Sequence, residues 1–156
     1  MPAHEEQRLH TLRSLALLDT PAEERFDRIT RLAAKLFDIP IALITLVDAD
    51  RQWFKSRFGE IGIQMTREQS FCAHAILDSQ TFVVSDALGD DRFADNPSVS
   101  GEPRIRFYAG QPMVAPDGSR VGTLCVIDHR PREFSEADLQ ALRDLAALAE
   151  RQLCAT

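Results

Sequence analysis

Leu9, Leu12, Leu15, Ala16 and Leu18 recur at helical spacing and predict a first helix over residues 3–17 with one narrow apolar stripe. Thr20-Pro21-Ala22-Glu23 then punctuates the chain. Threonine can cap a helix, proline suits a first helical turn, and an acidic residue three places after the cap completes the pattern. A second helix is therefore expected from Pro21, with Phe26, Ile29, Leu32, Ala33, Leu36 and Phe37 on its inner face. Residues 41–48 form an apolar, β-branched run of strand length, expected to be buried on both faces. Across Ala49-Asp50 the next strand, residues 51–58, completes a hairpin. Gly59 and Gly62 mark a loop, residues 68–77 a short helix, and residues 81–85 a third strand. Residues 86–104 are irregular and rich in Asp, Pro and Gly, and a loop of that length within a domain is usually functional or mobile. Residues 106–114 and 120–128 pair across Ala115-Pro116-Asp117-Gly118-Ser119, where Gly accepts the positive φ of the turn. Ser135 caps a last helix, with Asp138 at its third position and Leu139, Leu142, Leu145, Ala146, Ala149 and Leu153 facing inward.

This order predicts an α+β fold. A central antiparallel sheet of five to six strands carries the terminal helices on one face. The short helix and the long loop cover the other. The expected division is an N-terminal helix over residues 1–18 and a single domain over residues 19–156. Neither an internal repeat nor a low-complexity segment is present.

Composition narrows the function classes. The chain has 156 residues, enough for one domain, with 44% hydrophobic and 27% charged residues, the balance of a soluble globular protein. A net charge of −6 argues against a nucleic-acid surface. No apolar run reaches the ~20 residues that span a bilayer. The charged start Met1-Pro2-Ala3-His4-Glu5-Glu6 lacks an apolar signal core, so a cytoplasmic location is expected. Cys72, Cys125 and Cys154 are far apart and show no metal-ligand or disulfide pattern. No metal site and no catalytic residue is predicted.

Three motifs carry a family resemblance. They are Ser70-Phe71-Cys72-Ala73-His74-Ala75-Ile76, Asp91-Arg92-Phe93-Ala94-Asp95-Asn96-Pro97, and the hairpin from Ile105-Arg106-Phe107-Tyr108 to Gly122-Thr123-Leu124-Cys125-Val126-Ile127-Asp128. Together they resemble a bacterial GAF domain from about Asp19 to Leu153. The resemblance implies a GAF/PAS-like fold, a sensory or regulatory role in signal transduction, and a small-molecule cavity between the sheet and the segment 71–108. Phe71, Cys72, His74, Asp91, Arg92, Phe93, Phe107, Tyr108 and Thr123 supply the apolar walls and directed polar groups such a pocket needs. A filled, non-binding core is the competing reading. No residue pattern selects cyclic nucleotides, a known ligand class of the family.

Cys72 stands near a helix start, where the positive end of the helix favours thiolate. An inert buried thiol is the alternative. The Cys-His dipeptide of bilin-carrying relatives is absent, which argues against a bilin. His74 has no ligand partner set, which argues against haem. The resemblance also implies a homodimer built from the terminal helices through Leu9, Leu12, Leu15, Leu142, Leu145 and Leu153. The implied output partner is a histidine kinase or a cyclic-di-GMP enzyme. Two alternatives remain: a dimerisation module without ligand, and an enzyme like the free methionine sulfoxide reductases. The reductases share the fold but use closely spaced cysteines, and here Cys72 and Cys125 are the only plausible pair.

Overall fold

The structure is a computed structural model that describes residues 4–67 and 70–155. Helices α1 (Glu5–Ser14) and α2 (Glu24–Phe37) precede strands β1 (Ile41–Val47), β2 (Arg51–Phe58) and β3 (Gln64–Thr66). Then come α3 (Phe71–Ala75), β4 (Phe82–Val84), a 3-10 turn at Ala87–Gly89, α4 (Pro97–Ser100), β5 (Phe107–Val114), β6 (Arg120–Asp128) and α5 (Glu136–Cys154). The six strands form one antiparallel sheet in the order β3-β2-β1-β6-β5-β4. Both predicted hairpins are present, and every residue of β1 is buried.

Alternation along the strands divides the core into two layers. Ala42, Ile44 and Leu46 of β1, with Leu124 and Val126 of β6, face α2 and α5. Ile41, Leu43, Val47, Cys125 and Ile127 face α3 and the long connection. β6 passes very close to β1: a Cβ on Gly122 would lie 1.8 Å from the Thr45 carbonyl oxygen. An extra residue, Lys55, interrupts the β1–β2 register between Ile44 and Thr45. The bulge frees the Lys55 ammonium to reach Thr20 Oγ1, the Pro21 carbonyl and Glu23.

Several expectations are corrected. α2 begins at Glu24, and Thr20 does not cap it, because its hydroxyl donates to the Leu17 carbonyl. Leu32 and Leu36 are exposed at 54% and 60%, and the inner face of α2 uses Thr30 and Ala34 instead. The loop after β2 contains β3, too short for periodicity to reveal. Of the predicted helix over 68–77, Phe71–Ala75 is helical, while Glu68 and Gln69 lie outside the described residues. Residues 86–104 contain the 3-10 turn and α4, each capped by a side chain (Asp86 and Asn96). Ser135 and Asp138 form a reciprocal capping box on α5, which fixes where that helix starts.

α1 is bound into the domain. Leu12 is 1% exposed in the helical layer. The buried Arg8 guanidinium donates to the Val47 carbonyl and to Glu5, which also receives Arg67. Thr11 and Gln7 donate to Asp117 in the β5–β6 turn.

Candidate functional site

The site candidates converge on the face of the sheet beneath α3. Ser70 caps α3 by accepting from the Ala73 N–H at 3.2 Å, which sets Phe71 and Cys72 at the first turn, pointing inward. Phe71 stacks on Phe93 at 4.1 Å between centroids and touches Tyr108 at 5.3 Å. Tyr108 lies flat along its own strand over Gly110, where a Cβ would come within 2.1 Å of the Tyr108 hydroxyl oxygen. That route carries the hydroxyl to Cys72 Sγ, 3.0 Å away. Thr123 Oγ1 lies 3.1 Å from the same sulfur, and Cys125 Sγ 4.0 Å. Thr123 Oγ1 is in turn 2.9 Å from Thr45 Oγ1, which accepts from the Thr123 N–H at 3.1 Å. With Thr45 donating to Thr123, the Thr123 and Tyr108 hydroxyls are both free to donate to Cys72.

This convergence governs the thiol chemistry. Burial pushes the Cys72 thiol up, but its hydrogen-bonding contacts with Cys125, Thr123 and Tyr108, with Thr45 behind Thr123, bring it down to about 7. Burial and the neighbouring Cys72 raise Cys125 well above an ordinary thiol. Burial likewise raises Tyr108. Thiolate character is thus concentrated on Cys72.

The rim is polar and aromatic. His74 is exposed, parallel to Phe82 at 6.2 Å and edge-on to Phe93 at 4.9 Å. Partial burial of the imidazole lowers its pKa, and the nearby Arg92 charge adds to the shift. The Arg92 guanidinium lies over Phe82 and Phe93, held by Asp90 at 2.6 Å. Asp91 is exposed. Phe107 does not join the group: successive strand residues face opposite ways, and it packs in the helical layer against Phe134 at 4.9 Å. Phe71, Cys72, Phe93, Tyr108 and Thr123 are brought together, each at most 2% exposed, and their side chains fill the space between sheet and cover. An open groove of about 470 Å³ lies elsewhere, beside β2, lined by Asp19, Thr20, Trp53 and Lys55 among others.

Gln52 was not foreseen. It lies on the same sheet face as Phe54, two residues along β2, and its amide oxygen is buried with no hydrogen-bond partner among the described residues. Among the described residues no group of three or more His, Cys, Asp and Glu could hold a metal ion, and no helix is long and apolar enough to cross a membrane.

Among the helix residues, Leu12, Leu142 and Leu153 lie in the chain's own core, and Leu9, Leu15 and Leu145 pack against it. The exposed leucines of the helical layer are Leu32 and Leu36 on α2 and Leu148 on α5. Helical periodicity turns Leu32 and Leu36 inward, whereas the fold exposes them together with Leu148.

Comparison with known proteins follows the same lines. The family model of the GAF domain matches residues 21–153. A cyclic di-GMP phosphodiesterase of Pseudomonas aeruginosa is 46% identical over 148 residues, covering 94% of this chain and 25% of the relative. The chain thus spans about a quarter of that relative's length. Among solved structures, a type II free methionine-R-sulfoxide reductase from Thermoplasma acidophilum superposes with TM-score 0.68 at 12% identity, over 94% of both chains. The GAF domain of an Acinetobacter phosphoenolpyruvate-protein phosphotransferase gives 0.66 at 18% identity, over 94% of this chain and 92% of that one. At these identities the structural likeness concerns the fold.

Proposed function

Because this chain belongs to the GAF domain family, we propose that it is a sensory or regulatory module of bacterial signal transduction, taking a small molecule on the sheet face beneath α3 and the 86–104 segment. The observation that carries the reading is Gln52. A buried amide oxygen without a donor costs about 1–3 kcal/mol, and a ligand donor would relieve it. Ligand entry requires the close-packed Phe71–Phe93 lid to shift. The ligand therefore binds the open and closed forms differently, which is what couples it to the rest of the domain. The signal reaches a homodimer contact on the helical layer, where Leu32, Leu36 and Leu148 are exposed. The similarity to a cyclic di-GMP phosphodiesterase supports an output in the turnover of that nucleotide, with a histidine kinase as the alternative.

The test is a native mass spectrum of freshly purified protein, followed by a denatured one. Extra mass lost on denaturation supports the ligand reading, and a protein that stays bare through a broad ligand screen with unchanged hydrogen exchange at 86–104 overturns it. The filled layer under α3 favours a second reading, a dimerisation module without ligand. A bare dimer that Leu148→Asp converts to monomer would support that reading, whereas a monomeric unmutated protein would end it. The reductase reading predicts turnover of free methionine sulfoxide that is lost in Cys72→Ser.

A further inference from the structure

We propose that Cys72 and Cys125 form a redox-active dithiol that a small hydroperoxide closes to a disulfide, unlatching Tyr108 and loosening the segment that carries Phe93. The inference needs no ligand and holds whichever reading of the signalling role is right. Two observations carry it. The two sulfurs are neighbours at 4.0 Å although 53 residues separate them in the chain. One of them, Cys72, also sits at the meeting point of two hydroxyls able to donate to it, at 3.0 and 3.1 Å. Cys154 is exposed and belongs to no such arrangement.

The chemistry balances in two steps. Cys72, as thiolate, attacks the nearer oxygen of the hydroperoxide. An S–O bond forms, the O–O bond breaks, and the leaving alkoxide or hydroxide takes up the proton that Cys72 gave up. Cys125 then attacks the Cys72 sulfenic sulfur. The S–S bond forms, the S–O bond breaks, and hydroxide leaves as water with the Cys125 proton. Two thiols and one hydroperoxide become one disulfide, one alcohol or water, and one water.

Closing the bond draws the sulfurs together by about 2 Å, to the ~2.05 Å of a disulfide. β6 is central and hydrogen-bonded on both sides, so the movable partner is α3, a helix of five residues. Once in a disulfide, the Cys72 sulfur no longer offers the Thr123 and Tyr108 hydroxyls a thiol or thiolate. Thr123 keeps Thr45. Tyr108 is 1% exposed, and its hydroxyl loses the Cys72 thiol while Thr123 remains beside it. Phe71, which packs against that ring, and Phe93, which stacks on Phe71, are the route by which the change reaches residues 86–104.

The experiment uses the Cys154→Ser chain, so that the exposed thiol cannot form intermolecular disulfides. The reduced, natively folded protein is treated with hydrogen peroxide, quenched, denatured and alkylated with N-ethylmaleimide. The expected result is a loss of both reactive thiols, an intact mass lower than that of the unalkylated reduced protein by about 2 Da as two hydrogens leave, and a digest in which the Cys72 and Cys125 peptides are joined. Hydrogen exchange across residues 86–104 should quicken on oxidation, and should not in Cys125→Ala treated the same way. Two thiols still open to alkylation, or oxygen additions without the crosslink, would overturn the dithiol. A crosslinked protein with unchanged exchange at 86–104 would overturn the unlatching.

Discussion

Replacing Gly110 by alanine would put a methyl group where the Tyr108 side chain now lies. The new Cβ would stand 2.1 Å from the Tyr108 hydroxyl oxygen, 2.6 Å from Cζ and 2.8 Å from Cε1, where ordinary contact begins at 3.4 Å. The ring cannot simply tilt away, since Phe71 lies 5.3 Å from it and Phe82 6.0 Å between centroids. Overpacking of this kind costs about 1–3 kcal/mol. Displacing the hydroxyl from Cys72 adds about 1 kcal/mol for the lost hydrogen bond. Against this, alanine restricts the unfolded chain relative to glycine, which returns about 0.4–1 kcal/mol. The net expectation is a destabilisation of about 2 kcal/mol, read as a lower urea midpoint with an unchanged m-value. The control is Tyr108→Leu, which takes the ring off the glycine. In that background Gly110→Ala should cost almost nothing, giving a coupling energy of about 2 kcal/mol. Additive effects of the two substitutions would refute the account of why glycine is needed there.

Gly122→Ala meets the Thr45 carbonyl oxygen at 1.8 Å, and backbone at the centre of a sheet cannot yield, so this chain should fail to give a cooperative unfolding transition; a normal melting curve would contradict the packing described. Burial pushes the Glu5 carboxyl up, but hydrogen bonds from Arg8 and Arg67 hold it at about 2 rather than 4.5. Because the folded value is depressed, the stabilisation is present above pH 4.5 and is lost as pH falls towards 2. Glu5→Gln should thus cost about 1 kcal/mol at neutral pH, allowing for solvent screening, with the difference from the parent shrinking over that window in pH-dependent denaturation; a pH-independent difference would contradict it. Gln52→Met removes the unpartnered buried oxygen at similar volume, so the ligand-free protein should be as stable or more stable in thermal melts. A clear loss of stability would mean that the amide already has its partners.

Much of this fold was legible because its strands and helices obey simple periods. β1 reads as a buried strand from its unbroken apolar run, and α5 announces its start through Ser135 and Asp138. The site was half legible. The aromatic and cysteine motifs named Phe71, Cys72, Phe93, Tyr108 and Thr123, and these do assemble. Their neighbour Phe107 was misplaced because composition does not say which of two adjacent strand residues faces which layer. The Cys72–Cys125 contact depends on tertiary packing over 53 residues, although those two were the only thiols that could have paired. Arg8 carries no sequence signal of burial, and only the fold shows it 2% exposed against the Val47 carbonyl. Gly110 carries no signal in a strand until the route of the tyrosine beside it is known.

The anchoring of α1 has a bearing on how such a module can be moved between proteins. The family boundary falls at residue 21, after Arg8, Leu12 and Leu17, all of them buried here. A graft cut at that boundary would uncover the helical layer and take the guanidinium from the Val47 carbonyl. The two leucines alone represent about 1.5–3 kcal/mol each of burial, a large share of what holds a domain of this size together. The piece that can be exchanged intact is therefore longer than the piece that can be recognised. A hybrid joined at residue 21 would inherit the sheet and its α3 face while leaving part of its own foundation behind.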